Sequence, residues 1–395
     1  MKNKIPGSVY ILGFVSLFND IASEMLYPIM PIFLTQILNA PIFIIGIIDG
    51  VAEGVSSFMK AYLGYLSDKM QKRKPFVFAG YGFSAISKVI IAFSSTWPFV
   101  FLGRILDRFG KGVRTGSRDA LLLEAASKDN KGLVFGLHRS LDSLGAVIGP
   151  IIALVLLSIT NNNIRLVLYI AALPSFVALL LLFFIKEAKK KLTTTYTLPS
   201  FSFALRTMSP ELKTFLLSFA VFSLGNSSDS FLILQSKQLG MSVALVVLVY
   251  IVYNIVYTLL STPAGILADK WGAKKVFIVG LVLYALVYFG FAINKTVPAV
   301  WLLFALYGGY IALTDGVSKA LVGEYISKSE SGTVYGILQT IASVGVLLAS
   351  VIGGLLWSAI APAATFYFGG VCAVVALVIF TIGSIQKVQT TSNRR

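Results

Sequence analysis

The chain has 395 residues, of which 56% are hydrophobic and 13% charged, and its formal net charge is +16. A soluble domain carries about 25% charged residues, so so much apolar surface calls for lipid as its solvent. The excess Lys and Arg falls in short loops between apolar runs, which argues against a nucleic-acid surface, and the lone cysteine, Cys372, excludes an internal disulfide or a thiolate metal cluster.

A bilayer core takes roughly 20 apolar residues per helical span, and a helix is the element that satisfies its own backbone hydrogen bonds in lipid. Twelve spans are predicted, at 8–38, 42–66, 76–95, 97–125, 132–160, 164–186, 212–238, 241–268, 276–294, 297–326, 332–360 and 363–386. The runs are too long and too uniformly apolar for barrel strands. The first span contains Asp20 and Glu24, too long and too polar at its centre for a cleavable signal core. Alternate loops then sort by charge. One side collects Lys2, Lys4, Lys69, Arg73, Lys74, Lys128, Lys131, the run Lys189-Lys190-Lys191, Lys270, Lys274, Lys275 and Arg395, while the other holds only Arg165, Lys237 and Lys295. The positive-inside rule places both termini in the cytosol of a cell (inner) membrane protein and favours an even number of spans. The interval 187–211, basic and Thr/Ser-rich with Pro199 and Pro210, is expected to be a cytoplasmic linker between a bundle at 1–186 and another at 212–395.

The two halves repeat. Gly64-Tyr-Leu-Ser-Asp68-Lys-Met-Gln71-Lys-Arg73-Lys74 follows the second span, and Gly265-Ile-Leu-Ala-Asp269-Lys-Trp-Gly272-Ala-Lys274-Lys275 follows the eighth. Ser16-Leu-Phe-Asn19 is answered by Ser223-Leu-Gly-Asn226, the run Asp119 to Glu124 by Lys319 to Glu324, and Gly132, Gly136 and Gly145 by Gly332, Gly336 and Gly345. Repeats of this kind place a site near the midplane between the halves.

The doubled loop motif resembles that of the major facilitator superfamily over essentially the whole chain. The resemblance implies an all-α membrane protein of twelve helices in two pseudo-symmetric six-helix bundles around a water-accessible pathway. It makes Gly64, Asp68, Arg73, Gly265, Asp269 and Lys274 a gating loop set, with Gly64 and Gly265 permitting close helix approach and Asp68 and Asp269 pairing with basic neighbours. Gln71 stands where the family has glycine. Arg104-Ile-Leu-Asp107 resembles the family's fourth-helix Arg motif, with Arg108 in place of its glycine. Gly145-Ala-Val-Ile-Gly149-Pro150 resembles part of the antiporter-branch motif, with Ile151 and Ile152 replacing its further glycines.

Ionisable residues inside spans are costly unless paired or hydrated, so they carry the functional information. Asp20 and Glu24, and Asp49 and Glu53, are four residues apart and share helix faces. Arg104, Arg108, Lys111, Thr115 and Arg118 form one cationic stripe, which must face carboxylates or water. One reading makes these charges braces, with Lys88 on Glu53 and Arg139 on Asp142 as the expected pairs. The other makes Asp20, Glu24, Glu53, Asp107, Asp142 and the only histidine, His138, candidates for proton coupling. His138 also has a structural reading, as a hydrogen-bonded residue near the cytoplasmic surface. Asn19, Arg104, Arg108, Lys111, Arg139, Asn226, Asp229, Tyr253, Asn254, Tyr257 and Tyr310 are candidate cavity residues, with Asn226-Ser-Ser-Asp229 expected to face Tyr250, Tyr253, Tyr257 and Tyr310.

No nucleotide-binding loop, nucleophile–base set or metal-ligand cluster is legible, so neither an enzyme nor a cofactor is expected. Three functions remain: a proton-coupled exporter of a drug or metabolite, a proton-coupled importer of an organic anion or nutrient, and a non-transporting membrane sensor. The partners expected are a small-molecule substrate, protons and the bilayer, with the protein a monomer.

Overall fold

The computed structural model describes residues 6–70, 73–126, 131–185, 208–325 and 331–392. The expected linker therefore lies almost wholly outside the described residues, as do Gln71, the side chain of Asp68 and the surroundings of Gly64. Among the described residues the regular structure is helical, in twelve segments: α1 Gly7–Ile37, α2 Ile42–Met70, α3 Lys74–Ala92, α4 Trp97–Ala125, α5 Lys131–Ile159, α6 Ile164–Phe184, α7 Pro210–Gln238, α8 Val243–Trp271, α9 Ala273–Ile293, α10 Val297–Tyr325, α11 Ser331–Ala359 and α12 Pro362–Ser392. Eleven are long and apolar enough to cross a membrane. The exception, α4, carries Arg104, Asp107, Arg108, Lys111, Arg114, Arg118, Asp119 and Glu124 and must find partners for them inside the protein.

Two helices depart from the expected continuous form. α1 tightens at Tyr27-Pro28-Ile29, where proline lacks an amide hydrogen, and ends in a π-helical turn at Phe33–Ile37. α7 stops at Gly225 and restarts at Ser230, leaving Asn226 to Asp229 outside either helix. Ser, Asn and Asp side chains compete for backbone groups and favour caps over helix interiors, and four of them follow a glycine here.

The chain forms two compact units. The first comprises Met1–Pro41, Val51–Thr194 and Gly240–Ile251, the second Ile42–Gly50, Thr195–Leu239 and Val252–Arg395. Each repeats one packing scheme. In the first unit α1 packs on α5 and α6, and α3 on α4 and α6; in the second α7 packs on α11 and α12, and α9 on α10 and α12. Val9, Leu12 and Val15 of α1, Tyr81 of α3, Leu121 and Leu122 of α4 and Leu182 of α6 build the first unit's apolar core.

Small residues set the closest contacts, as expected where packing rather than water drives helix association. A Cβ added at Gly145 of α5 would meet the Leu17 carbonyl oxygen at 2.7 Å and the Asp20 Cβ at 3.0 Å, both on α1. Its repeat partner, Gly345 of α11, presses in the same way on Ser223 of α7. Gly145→Val should therefore cost about 1–3 kcal/mol through overpacking, read as a lower temperature of aggregation in detergent, whereas Gly136→Ala, with open space around it, should be neutral. Equal stability of the two variants would contradict this packing.

Candidate functional site

Where α1 meets α5 in the first unit, five polar side chains converge. The Ser16 hydroxyl donates to the Asp142 carboxylate at 2.5 Å, and the Asp20 carboxyl lies within hydrogen-bond reach of that of Asp142. Arg139 pairs with Asp142 at 3.2 Å, as the sequence predicts, and Arg118 reaches Ser16 at 3.3 Å while pairing with Asp119. The contact follows from register: Ser16 and Asp20 are one turn apart on α1, and Gly145 lets that face lie directly on α5 beside Asp142. Asn19 is buried, with its amide nitrogen 3.5 Å from Asp20 and its carbonyl oxygen without a hydrogen bond among the described residues. One turn before Asp142, His138 is 4% exposed and its Nε2 has no partner among the described residues. The structural reading of His138, as a hydrogen-bonded residue near the cytoplasmic surface, lacks its hydrogen bond at that nitrogen among the described residues.

Further along the unit, Tyr250 donates to Glu24 at 3.0 Å and stacks on Tyr27, over which the Arg104 guanidinium lies at 5.9 Å. Lys88 pairs with Asp107 at 2.6 Å, its side chain 1% exposed. This corrects the expected Lys88–Glu53 brace: α3 packs directly along α4, so the lysine meets Asp107, and Glu53 of α2 meets Arg108 instead at 4.0 Å. Asp107 is thereby committed to an ion pair. The cationic stripe of α4 divides, with Arg104 buried, Arg108 and Arg118 half-buried, and Lys111 exposed. Arg114, outside the predicted stripe, is buried against Ser84 at 2.5 Å and lies 4.5 Å from the Tyr81 ring centre.

The two copies of the loop motif are built differently. In the first, Arg73 is buried, donating to Ser67 at 2.9 Å and approaching Glu124 at 3.6 Å, with Ser117 also bonded to Ser67. In the second, Lys274 lies 5.6 Å over the ring of Phe380, and Asp269 and Glu324 line a cavity of about 320 Å³ floored by Ala268, Ala273 and Ala320. Asp269 makes no ion pair among the described residues, which corrects the expected pairing; the Lys274 ammonium lies over the aromatic ring. Gly265 faces open space, so close helix approach does not occur there: Pro263, Gly265 and Ile266 all stand on the exposed side of α8. Gly272 has φ +89°, a conformation that favours glycine, at the turn into α9.

In the second unit the break in α7 is filled by tyrosines. Tyr307 donates to Asp229 at 2.5 Å, Tyr310 to Asn226 at 3.1 Å, and Tyr284 to the Gly225 carbonyl at 2.7 Å, while Tyr288 and Ser227 exchange a hydrogen bond at 3.3 Å. Tyr284 stacks on Tyr288 and meets Tyr310 edge-on, Tyr310 packs at a tilt on Tyr307, and Tyr253 joins through Tyr307. Tyr310 thus meets Asn226 as the sequence expects, while Tyr253 reaches the segment only through Tyr307. Tyr250 belongs to the first unit, and Tyr257 lies instead 3.5 Å from Asp315, with half-buried Asn254 on the preceding turn of α8. Tyr284, Tyr288 and Tyr307 were not anticipated; the signal was their spacing, four apart on α9 and, with Tyr310, three apart on α10. Asp49 also parts from Glu53: its carboxylate accepts from Ser228 at 2.7 Å and Ser230 at 2.5 Å, within the second unit. Asp49→Ala should leave both hydroxyls without this acceptor and cost about 1–3 kcal/mol, measured by thermal unfolding in detergent, and an unchanged midpoint would rule the clamp out.

The family model described as Major Facilitator Superfamily matches residues 12–234 and 214–393. An uncharacterized MFS-type transporter of Methanocaldococcus jannaschii is 36% identical over 379 residues, 94% of each chain. A class H tetracycline resistance protein of Pasteurella multocida is 23% identical, over 95% of this chain and 94% of its own. Among solved structures, the nucleoside transporter NupG superposes with a TM-score of 0.79 at 16% identity, covering 96% of this chain and 99% of that one.

Proposed function

The chain belongs to the major facilitator superfamily of membrane transporters, which are not enzymes, and on that premise we propose that it is a proton-coupled secondary transporter that exports a small organic molecule. The observation that carries the proposal is the Asp20–Asp142 carboxyl pair, whose Asp142 also accepts from Ser16. Two carboxyl groups hydrogen-bond to each other only when one of them holds a proton, so the closed pair stores a proton and the separated pair releases it. α1 and α5 carry the two groups, and any sliding between these helices changes their spacing. Arg118 and Arg139 stand ready to neutralise the carboxylates left behind. Glu24, Glu53 and His138 are auxiliary candidates in the same unit, and Asp107 is a brace.

Outward direction draws support from Gly145 and Gly149, the partial antiporter motif, which bring α5 onto α1 at the proton pair, and from the relative named for tetracycline resistance. Proton-coupled uptake of an organic anion is the second reading, favoured by the cations Lys60, Arg108 and Lys111. The proposal further holds that the six-helix halves 1–186 and 212–395 alternate access, with the protein a monomer in the cell membrane, its termini in the cytosol and its loop motifs acting as gates.

The test is flux. A ligand is found by thermal-shift screening, and the purified protein is then placed in vesicles whose lumen corresponds to the cell exterior. An acid lumen should drive ligand in by exchange for protons. Ligand leaving the acid lumen would identify uptake, and flux indifferent to the gradient would end the proton-coupled reading.

A further inference from the structure

We propose that Lys60, Arg108 and Lys111 form an anion-binding site in the first unit, and that the transported molecule is a small organic anion held there by its carboxylate or phosphate group. The inference rests on the transporter reading and adds the chemical class of the substrate.

The packing of α2 on α4 brings the three cations together. A Cβ added at Gly112 of α4 would meet the Ser56 carbonyl oxygen at 2.9 Å and the Lys60 amide nitrogen at 3.2 Å. Lys111, the residue before Gly112, and Arg108, one turn earlier, therefore stand beside Lys60, and the three side chains act electrostatically on one another. A carboxylate that acts on all three is Glu53, which approaches Arg108 at 4.0 Å. Elsewhere in this unit the basic side chains have acceptors: Lys88 on Asp107, Arg73 on Glu124, Arg118 on Asp119, Arg139 on Asp142, and Arg114 on Ser84. Lys60 and Lys111 make no hydrogen bond and no ion pair among the described residues, and Lys111 is exposed.

Other charges reach the cluster. Asp20 and Glu24 act on Lys111, but the first is engaged by Asp142 and the second by Tyr250; Arg104 and Arg114 add further positive charge. Three cations around one half-exposed carboxylate, within helices that span lipid, repel one another unless an anion joins them. The donor set suits a carboxylate or phosphate, since guanidinium offers a planar fork and the ammonium groups supply point charges from two sides. An anionic lipid headgroup has the same chemistry as a soluble anion, and the experiment separates them.

The full chain is placed in phosphatidylcholine nanodiscs, and its thermal midpoint is followed by tryptophan fluorescence against phenyl phosphate, benzoate and, as a charge-reversed control, tetraphenylphosphonium at fixed ionic strength. Saturable stabilisation by the anions alone is expected, with affinity falling about tenfold or more in Lys60→Gln/Lys111→Gln and largely kept in Lys60→Arg. The single glutamine variants should fall in between, and they carry the test if the double variant does not fold. No anion-dependent shift, or the same shift in parent and double variant, overturns the proposal. In a parallel arm with phosphatidylglycerol, stabilisation by the lipid alone, lost in the double variant and without response to soluble anions, assigns the site to a headgroup and overturns the substrate claim. Binding is read here without transport. Anion binding without gradient-driven flux would sink the proton-coupled reading while leaving this site in place.

Discussion

Asp20→Asn should bring pH-gradient-driven flux down by about 100-fold or more, the scale on which a positioned proton-transfer group acts, while leaving expression and elution in detergent as in the parent. Asparagine keeps the size of aspartate and can still hydrogen-bond, but it cannot deliver a proton. Asp142→Asn should do the same, because the pair holds its proton jointly and either oxygen set is needed to release it. Ligand exchange without a gradient should survive in both variants, which separates lost coupling from lost binding. Ser16→Ala tests the positioning of the pair. It removes the hydroxyl that donates to Asp142 and should shift the pH profile of flux without abolishing it. Glu24→Gln is the companion test of the neighbouring carboxyl one turn along α1. Full gradient-driven flux in both Asp20→Asn and Asp142→Asn, and in their combination, would remove this pair from the mechanism.

The largest effect on stability is expected at Lys88 and Asp107. Their 2.6 Å contact lies in the most extensively packed helix pair of the first unit, with the lysine side chain 1% exposed. Removing one partner strands the other charge away from water, and breaking a buried pair costs about 3–5 kcal/mol. Lys88→Ala and Asp107→Ala should each lower the thermal midpoint in detergent and reduce the yield of monodisperse protein. Lys88→Met combined with Asp107→Leu should regain most of that loss, because the uncompensated charge goes and the volume stays filled. If the restored variant transports at the parental rate, Asp107 is a brace. If it is stable but inactive, Asp107 has a transport role that its ion pair conceals. Single variants as stable as the parent would mean that water reaches the pair.

Eleven of the helices were legible because each needs a run of about 20 apolar residues, a constraint local to the chain, whereas the charged α4 was legible through the alternation of loop charge, which asks for an even number of spans. The repeat was legible for a related reason: matched loop motifs and matched glycines answer the same packing demand, as Gly145 against α1 and Gly345 against α7 demonstrate. The Arg139–Asp142 pair was legible because it lies within one helix, three residues apart. Lys88 illustrates the opposite case. Two carboxylates, Glu53 and Asp107, were open to it, and the choice depended on α3 lying along α4. Asp49 and Glu53 share a helix face by spacing, yet they serve different units, since α2 changes neighbours along its length.

By itself, then, the sequence determined that the chain spans a membrane in two repeated sets of helices and that its first half carries unusual charge, because hydropathy and spacing act within one segment at a time. Only the tertiary structure decided that Asp20 meets Asp142, that Tyr307 and Tyr310 fill the gap left by α7, and that Lys60 and Lys111 stand together. Contacts of that kind depend on the rotation and depth of one helix against another, which are set by the summed packing of whole helix faces.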